Sequence, residues 1–426
     1  MSSPATERNP WAWVPTLYFA EGVPYVTVMT ISVIMYKRLG ISNADIALYT
    51  SWLYLPWVIK PLWSPFVDLF RTKRFWIVTM QLMIGASLAG VAMTIQAPFF
   101  FRATLAIFWL MAFSSATHDI AADGFYMLAL DQGTQSAFVG VRSTFYRIAM
   151  ITGQGALVVF AGYVEIHGGI PVAWSVTFGL LSVIFLSFCL YHKFLLPAPV
   201  IDRPAVQDAS KRFLTEFFRT FVLFFKKKNI VVIIAFLLLF RFAEAQLVKL
   251  VSPFLLDARD KGGLGLTTSE VGVVYGTVGI IALTLGGLLG GYIVSRYGLK
   301  KMIWIMVCAI HLPDAAFVYL SHALPTNFII INAAVAVEQF GYGFGFTAYM
   351  LFMIMVSEGE HKTAHYAICT GFMALGMMLP GMFSGKLQEM LGYGNFFVWV
   401  MLSTIPGFIV PALVKIAPEF GRKKVE

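Results

Sequence analysis

The run Ala112–Leu130, AFSSATHDIAADGFYMLAL, carries His118, Asp119 and Asp123 inside an otherwise apolar stretch. Asp119 and Asp123 are four residues apart, so a helix presents both carboxylates on one face. Charges in lipid-facing surroundings cost about 2.5–3.5 kcal/mol each on membrane-insertion scales. Carboxylates kept at that cost suit two kinds of chemistry. One is proton transfer along a transport path, because a carboxylate in a low-dielectric cavity holds its proton tightly and a neighbouring cation loosens it. The other is metal binding by a His/Asp/Asp set, as in a membrane-embedded enzyme acting on a lipid-linked substrate. His118 titrates near neutral pH if unperturbed, and alone it serves equally well as a hydrogen-bonded interior residue.

The elements that must position these groups follow from composition. Of 426 residues 58% are hydrophobic and only 12% are charged, half the charge content of an ordinary soluble chain. A water-soluble fold built from them would expose large apolar patches. The apolar segments exceed the 9–11 residues of a barrel strand and do not alternate, which excludes a β-barrel. The expected fold is an all-α polytopic membrane protein with twelve spans, near residues 11–36, 44–68, 75–96, 101–128, 138–162, 172–193, 230–256, 270–295, 302–320, 327–356, 364–387 and 394–415. Cys189, Cys308 and Cys369 fall in apolar segments and read as core residues, not as a disulfide or a metal site. The N-terminus lacks the layout of a cleavable signal peptide, so the first span is expected to be retained.

An even number of spans puts both termini on one side. With the N-terminus in the cytoplasm, cytoplasmic segments hold 20 Lys and Arg against 6 in the opposite loops, as the positive-inside rule requires. That asymmetry accounts for the net charge of +9 without nucleic acid. The connection between spans six and seven divides the chain into a six-helix bundle at 1–196, a cytoplasmic linker at 197–229 and a second six-helix bundle at 230–426. In the linker Phe213, Phe217, Phe221 and Phe224 recur at helical spacing among Lys and Arg, the pattern of a helix lying on the lipid surface, with a partner-binding helix as the alternative.

The halves repeat weakly. Ser42-Asn-Ala-Asp45 and Thr267-Thr-Ser-Glu270 are both helix-starting capping patterns, at spans two and eight. Spans four and ten share Tyr-Met-Leu, at 126–128 and 349–351. The motif Gly291-x-x-x-Ser295-Arg296-x-Gly298-x-Lys300-Lys301 resembles the loop signature of the major facilitator superfamily, with Ser295 at the acidic position. Its counterpart in the first half keeps Asp68, Arg71, Lys73 and Arg74 but not the glycines. The resemblance implies the major facilitator fold, twelve transmembrane helices in two pseudo-symmetric halves. It gives Asp68, Arg71, Arg74, Ser295, Arg296 and Lys300 a gating role, against the plainer reading of a positive-inside anchor.

Ser114–Asp123 (SSATHDIAAD), Tyr18–Pro24 (YFAEGVP) and Leu239–Leu256 (LFRFAEAQLVKLVSPFLL) resemble the fourth, first and seventh helices of the AmpG-type permeases. That likeness implies a secondary active transporter rather than an enzyme, with no catalytic residue and no cofactor. It would be a monomer in a bacterial inner membrane, importing with protons cell-wall recycling compounds such as anhydro-muropeptides or N-acetylmuramic acid derivatives. A siderophore or other amphipathic anion is the alternative cargo, and a membrane-embedded metal-dependent enzyme is the alternative class.

The ionisable residues inside spans then fall into roles. Asp119, Asp123, Glu21, Glu244 and His118 are the candidates for proton coupling. Arg142, Arg147, Arg241, Lys249 and Glu338, with Tyr126, Tyr342 and Tyr349, are the candidates for binding solute. The competing reading is structural, with Arg142 or Arg147 neutralising Asp119 or Asp123. Gly341, Gly343 and Gly345 beside Tyr342 suit either sugar stacking or close helix packing.

Overall fold

The computed structural model describes residues 8–199, 202–203, 218–359 and 361–423, without the side chain of Asp68. Every regular element among these residues is helical. Among the described residues ten helices are long and apolar enough to cross a membrane. The expected span at 44–68 is delivered as two shorter helices, and those at 364–387 and 394–415 lie within one run, Lys362–Leu413. That run is broken where Gly392 takes φ 73°, a conformation glycine adopts without strain.

By internal contacts the chain forms two compact units, Met1–Ser32 with Ile59–Phe218, and Val33–Val58 with Arg219–Glu426. In the first, α1 (Val14–Val26) leads through a π-helical turn, Thr27–Ile31, into α2 (Ser32–Arg38). The chain past Ser32, with α3 (Asn43–Trp52) and the start of α4 (Leu55–Leu69), belongs to the second unit; the first resumes at Ile59 within α4 and continues through α5 (Lys73–Thr94), α6 (Phe100–Ala129), α7 (Gln132–Met150), α8 (Val158–Gly168) and α9 (Ile170–Leu195). The sequence sets their starts. Ser42 caps α3 by accepting from the Asp45 amide, Thr72 caps α5, and Asp131 caps α7 by accepting from Gly133 and Thr134. Pro61 and Pro65 interrupt the hydrogen-bond ladder of α4 immediately after Lys60. Helix α5 packs on α6 and α9, and α1 packs on α7. Gly22 makes the last contact possible, since a Cβ there would stand 2.8 Å from the Cβ of Ala149.

The second unit contains α10 (Ile230–Leu239), α11 (Phe242–Leu256), α12 (Ile280–Tyr297), α13 (Leu299–His311), α14 (Ala315–Ala323), α15 (Phe328–Ser357), α16 (Lys362–Leu402) and α17 (Ile405–Leu413). A π-helical stretch, Gly272–Gly279, precedes α12, and the expected capping box closes ahead of it between Thr267 and Glu270. Helix α15 packs against both α12 and α13, and the glycines of α15 explain how. A Cβ on Gly341 would lie 2.1 Å from the Ala309 carbonyl oxygen, and one on Gly343 2.0 Å from that of Leu283. Close packing therefore accounts for these glycines.

The expected surface helix of the linker is described only in its last part. Phe213 and Phe217 lie outside the described residues, whereas 218–225 is helical. Phe224 is fully buried, against Phe372 and His365, so this end of the helix seats an aromatic residue in the core of the second unit.

Candidate functional site

In the first unit the run that opened the sequence analysis lies on α6 and brings charges together from four helices. Asp119 pairs with Lys60 of α4. Asp123, one turn on, accepts from Arg142 Nη2 of α7 at 2.5 Å and from the Tyr18 hydroxyl of α1 at 3.0 Å. The Arg142 guanidinium lies over the rings of Tyr18 and Tyr126, 4.4 and 4.8 Å from their centroids, and the two rings meet edge to face. Aromatic faces attract a cation, so these rings hold the arginine in place as well as shield it. Glu21, one turn beyond Tyr18, lies within electrostatic reach of Asp123, Lys60 and Arg142, and its Oε2 is buried without a hydrogen-bond partner. Three carboxylates thus share two cations, which leaves the set one negative charge in excess.

His118 belongs to a different network. Its Nε2 meets the Gln81 side-chain amide at 3.0 Å; Gln81 Oε1 meets His192 Nδ1 at 3.0 Å, and His192 Nε2 meets Thr16 Oγ1 at 2.9 Å. This buried chain ties α6, α5, α9 and α1 together and is separate from Asp119 and Asp123. Arg147 lies one turn past Ser143 on α7, on a part-exposed face.

The second unit is arranged differently. Arg241, at the break between α10 and α11, donates to the Tyr342 hydroxyl, and its guanidinium lies over the rings of Tyr342 and Phe346 at 5.2 and 4.7 Å. Lys249 on α11 donates to Thr50 Oγ1 of α3 at 3.0 Å and lies 5.4 Å from the centroid of Tyr54. Tyr349 is fully buried, and its hydroxyl donates to the Leu237 carbonyl at 2.6 Å, a helix-to-helix tie. Glu244 of α11 and Glu338 of α15 meet Asp314, which lies between α13 and α14, in a buried cluster where one oxygen from each lies within 4.8 Å of the others.

Of the residues expected to form a gate, Arg71, Ser295 and Arg296 make local contacts, whereas Arg74 reaches α9. Arg71 takes φ 68° and lies over Phe75; Arg74 donates to the Lys193 carbonyl at 2.6 Å. Ser295 donates to the Tyr292 carbonyl, and Arg296 lies beside Tyr292 and Tyr297. Lys300 is exposed. Another polar cluster stands within the second unit. Lys37 pairs with Asp257 at 2.6 Å and donates to Asn43 Oδ1 at 2.8 Å. Asn43 donates to Gln388 and to the Tyr393 hydroxyl, which donates to Asp257 at 2.7 Å.

Sequence reasoning passed over Tyr18 and Lys60 as site residues, and both left a signal. Tyr18 precedes Glu21 by three residues on the same helical face, and Lys60 is a charge inside an apolar span.

The sequence profile of the Major Facilitator Superfamily matches residues 16–380. The chain belongs to that superfamily. It is 27% identical to a putative transporter AmpG 4 of Rickettsia conorii over 92% of this chain and 94% of that relative. It is 23% identical to the anhydromuropeptide permease of Escherichia coli K12 over 95% of this chain and 80% of that one. The fold is shared with the nucleoside transporter NupG, at TM-score 0.71 and 18% identity over 95% of this chain and 98% of that one. It is shared equally with a D-xylose-proton symporter, at TM-score 0.71 and 12% identity over 96% and 97%. This superfamily member is a multi-pass membrane protein and a secondary transporter of a small molecule, not an enzyme.

Proposed function

We propose that this transporter imports anhydro-muropeptides or N-acetylmuramic acid derivatives together with protons. The similarity to the anhydromuropeptide permease of E. coli supports the cargo. The observation that carries the coupling is the charge set of the first unit, where Glu21, Asp119 and Asp123 share Lys60 and Arg142. One excess carboxylate among paired ones is a place where a single proton can load and leave as partners exchange during alternating access. Asp119, Asp123 and Glu21 are the proton carriers in this reading. Arg142, held between Tyr18 and Tyr126, is the candidate partner of a solute carboxylate in the first unit, and Arg241 and Lys249 are the candidates for that role in the second. The protein works as a monomer in a bacterial inner membrane, with twelve spans and both termini in the cytoplasm, as the distribution of Lys and Arg supports. Asp68, Arg71, Arg74, Ser295, Arg296 and Lys300 stand on that cytoplasmic side, as anchors and as parts of its gate.

One observation favours a second cargo. Arg241 beside Tyr342 and Phe346 is a cation flanked by aromatic rings, which suits a siderophore or another amphipathic anion. Uptake into proteoliposomes, with and without an imposed pH gradient and over a panel of cell-wall sugars and siderophores, separates these readings. Gradient-driven uptake of an anhydro-muropeptide is the expected result. Uptake indifferent to the gradient ends the coupling claim, and failure to take up any cell-wall sugar ends the cargo claim.

A further inference from the structure

Unlike Asp257 with Lys37, three buried carboxylates of the second unit make no ion pair among the described residues. Glu244, Asp314 and Glu338 are 0%, 1% and 1% exposed. Both oxygens of Glu244, both of Asp314 and Oε1 of Glu338 are buried without a hydrogen-bond partner. The sixth oxygen, Glu338 Oε2, accepts from the Gln339 side-chain amide at 2.9 Å. Arg241 is the cation that acts on this group, through Glu244, and it is itself engaged with Tyr342 and Phe346. The Tyr275 hydroxyl is a further titratable neighbour, within electrostatic reach of Glu338 and Glu244. Three carboxylates from three separate helical segments converge here on apolar surroundings.

A buried carboxylate that stays ionised is paired or binds a cation, and one left alone takes up a proton instead, because an isolated charge loses its hydration with nothing in return. The donor set decides which cation. It holds oxygen only, with no sulfur or imidazole among its members, and oxygen sets select hard ions over zinc or copper. The spacing agrees in size, since oxygens about 2.3–2.6 Å from a calcium-sized ion are at most about 5 Å apart. We propose that Glu244, Asp314 and Glu338 form a binding site for a hard cation of that radius, Na⁺ or Ca²⁺, within the second unit. Two negative charges left after Arg241 favour the divalent ion, and Na⁺ answers one of them. The site takes Glu244 and Glu338 out of the proton-coupling and solute-binding sets to which sequence alone assigned them. It does not rest on the identity of the transported solute.

The test uses the purified full-length protein and no substrate. Binding of radiolabelled Na⁺ and of radiolabelled Ca²⁺ is measured at constant ionic strength, with choline and Mg²⁺ as controls, and the thermal unfolding midpoint is recorded in each. Saturable binding of one of the two ions, with a raised midpoint, is expected for the natural protein. Binding should fall at least tenfold in Glu338→Gln and in Asp314→Asn. Removing a charge from an unpaired buried group should leave folding intact, and if one variant fails to fold the other is read. Absence of saturable binding of both ions overturns the proposal, as does equal binding in the variants. A midpoint that responds to acid and to neither ion also overturns it, and makes the cluster a store of protons.

Discussion

The α6 charge set of the first unit and the cluster of Glu244, Asp314 and Glu338 in the second hold their carboxylates in opposite ways. In the first, Asp119 and Asp123 each face a cation, Lys60 and Arg142, and both pairs keep some solvent access. In the second, Glu244, Asp314 and Glu338 face one another and are sealed. A half-open ion pair can trade its partner for a solute group or a proton at modest cost, because water compensates while the partners change. A sealed cluster of one sign needs resident neutralisation, by the cation proposed above or by protons. Under the two proposals above, turnover belongs to the first unit and tight binding to the second.

The strongest way to break this contrast is at Arg142. Arg142→Ala should lower pH-driven uptake by about tenfold or more, an effect of ~1.4 kcal/mol. Asp123→Asn should impair driven uptake while solute exchange partly survives. Driven uptake unchanged in Asp123→Asn would move that pair to a structural role. Stability comes next. Lys60→Ala should destabilise by about 1–2 kcal/mol, less than a fully sealed pair because both partners reach solvent, and Lys60→Ala with Asp119→Asn should recover most of it. In the second unit the sign reverses: Glu338→Gln in buffer free of Na⁺ and Ca²⁺ should raise the unfolding midpoint by about 2 °C or more. A fall in both units would erase the distinction drawn here.

Smaller effects sharpen it. Tyr349→Phe removes a buried hydrogen bond to Leu237 and should cost about 1 kcal/mol of stability with KM unchanged. A raised KM would return Tyr349 to the solute path. The smallest effect belongs to Asp131, in the turn between α6 and α7, where the Thr134 hydroxyl and amide hold its carboxyl below the usual carboxylate range. A depressed value means that its capping stabilises above the unfolded value, near pH 3.9, and is lost as pH falls through the folded one. Asp131→Ala should abolish that small acid-side loss, read as the unfolding midpoint between pH 5 and pH 3.

Much of this was legible in the chain. Hydropathy alone marks the long helices, and the patterns at Ser42 and Thr267 mark the starts of two elements to within a residue. The pairing of Asp123 with Arg142 is among those the sequence offers, which left open whether Arg142 or Arg147 neutralises Asp119 or Asp123. What sequence could not supply is direction. Helical spacing puts His118 next to Asp119 in the chain, yet its side chain points to Gln81 on α5, away from the carboxylates. Glu244, Asp314 and Glu338 are separated by 70 and 24 positions, so nothing short of the packing of α11 and α15 against the α13–α14 turn brings them together. The glycines of α15 were equally compatible with a sugar platform until the carbonyls of Ala309 and Leu283 occupied the space.

The segment Val33–Val58 precedes the linker by well over a hundred residues, yet its contacts lie with the second half of the sequence. Asn43 is its anchor, bonded to Gln388 and Tyr393, with its carbonyl 2.0 Å from where a Cβ on Gly385 would stand. Cutting the polypeptide between the two halves would therefore not divide it into self-sufficient pieces. The amino-terminal fragment would carry a docking tongue for the other, and the carboxy-terminal fragment an empty seat for it. Fragment complementation is thus built into the chain's own topology, with Gly385 as the position at which one added methyl group would close the seat.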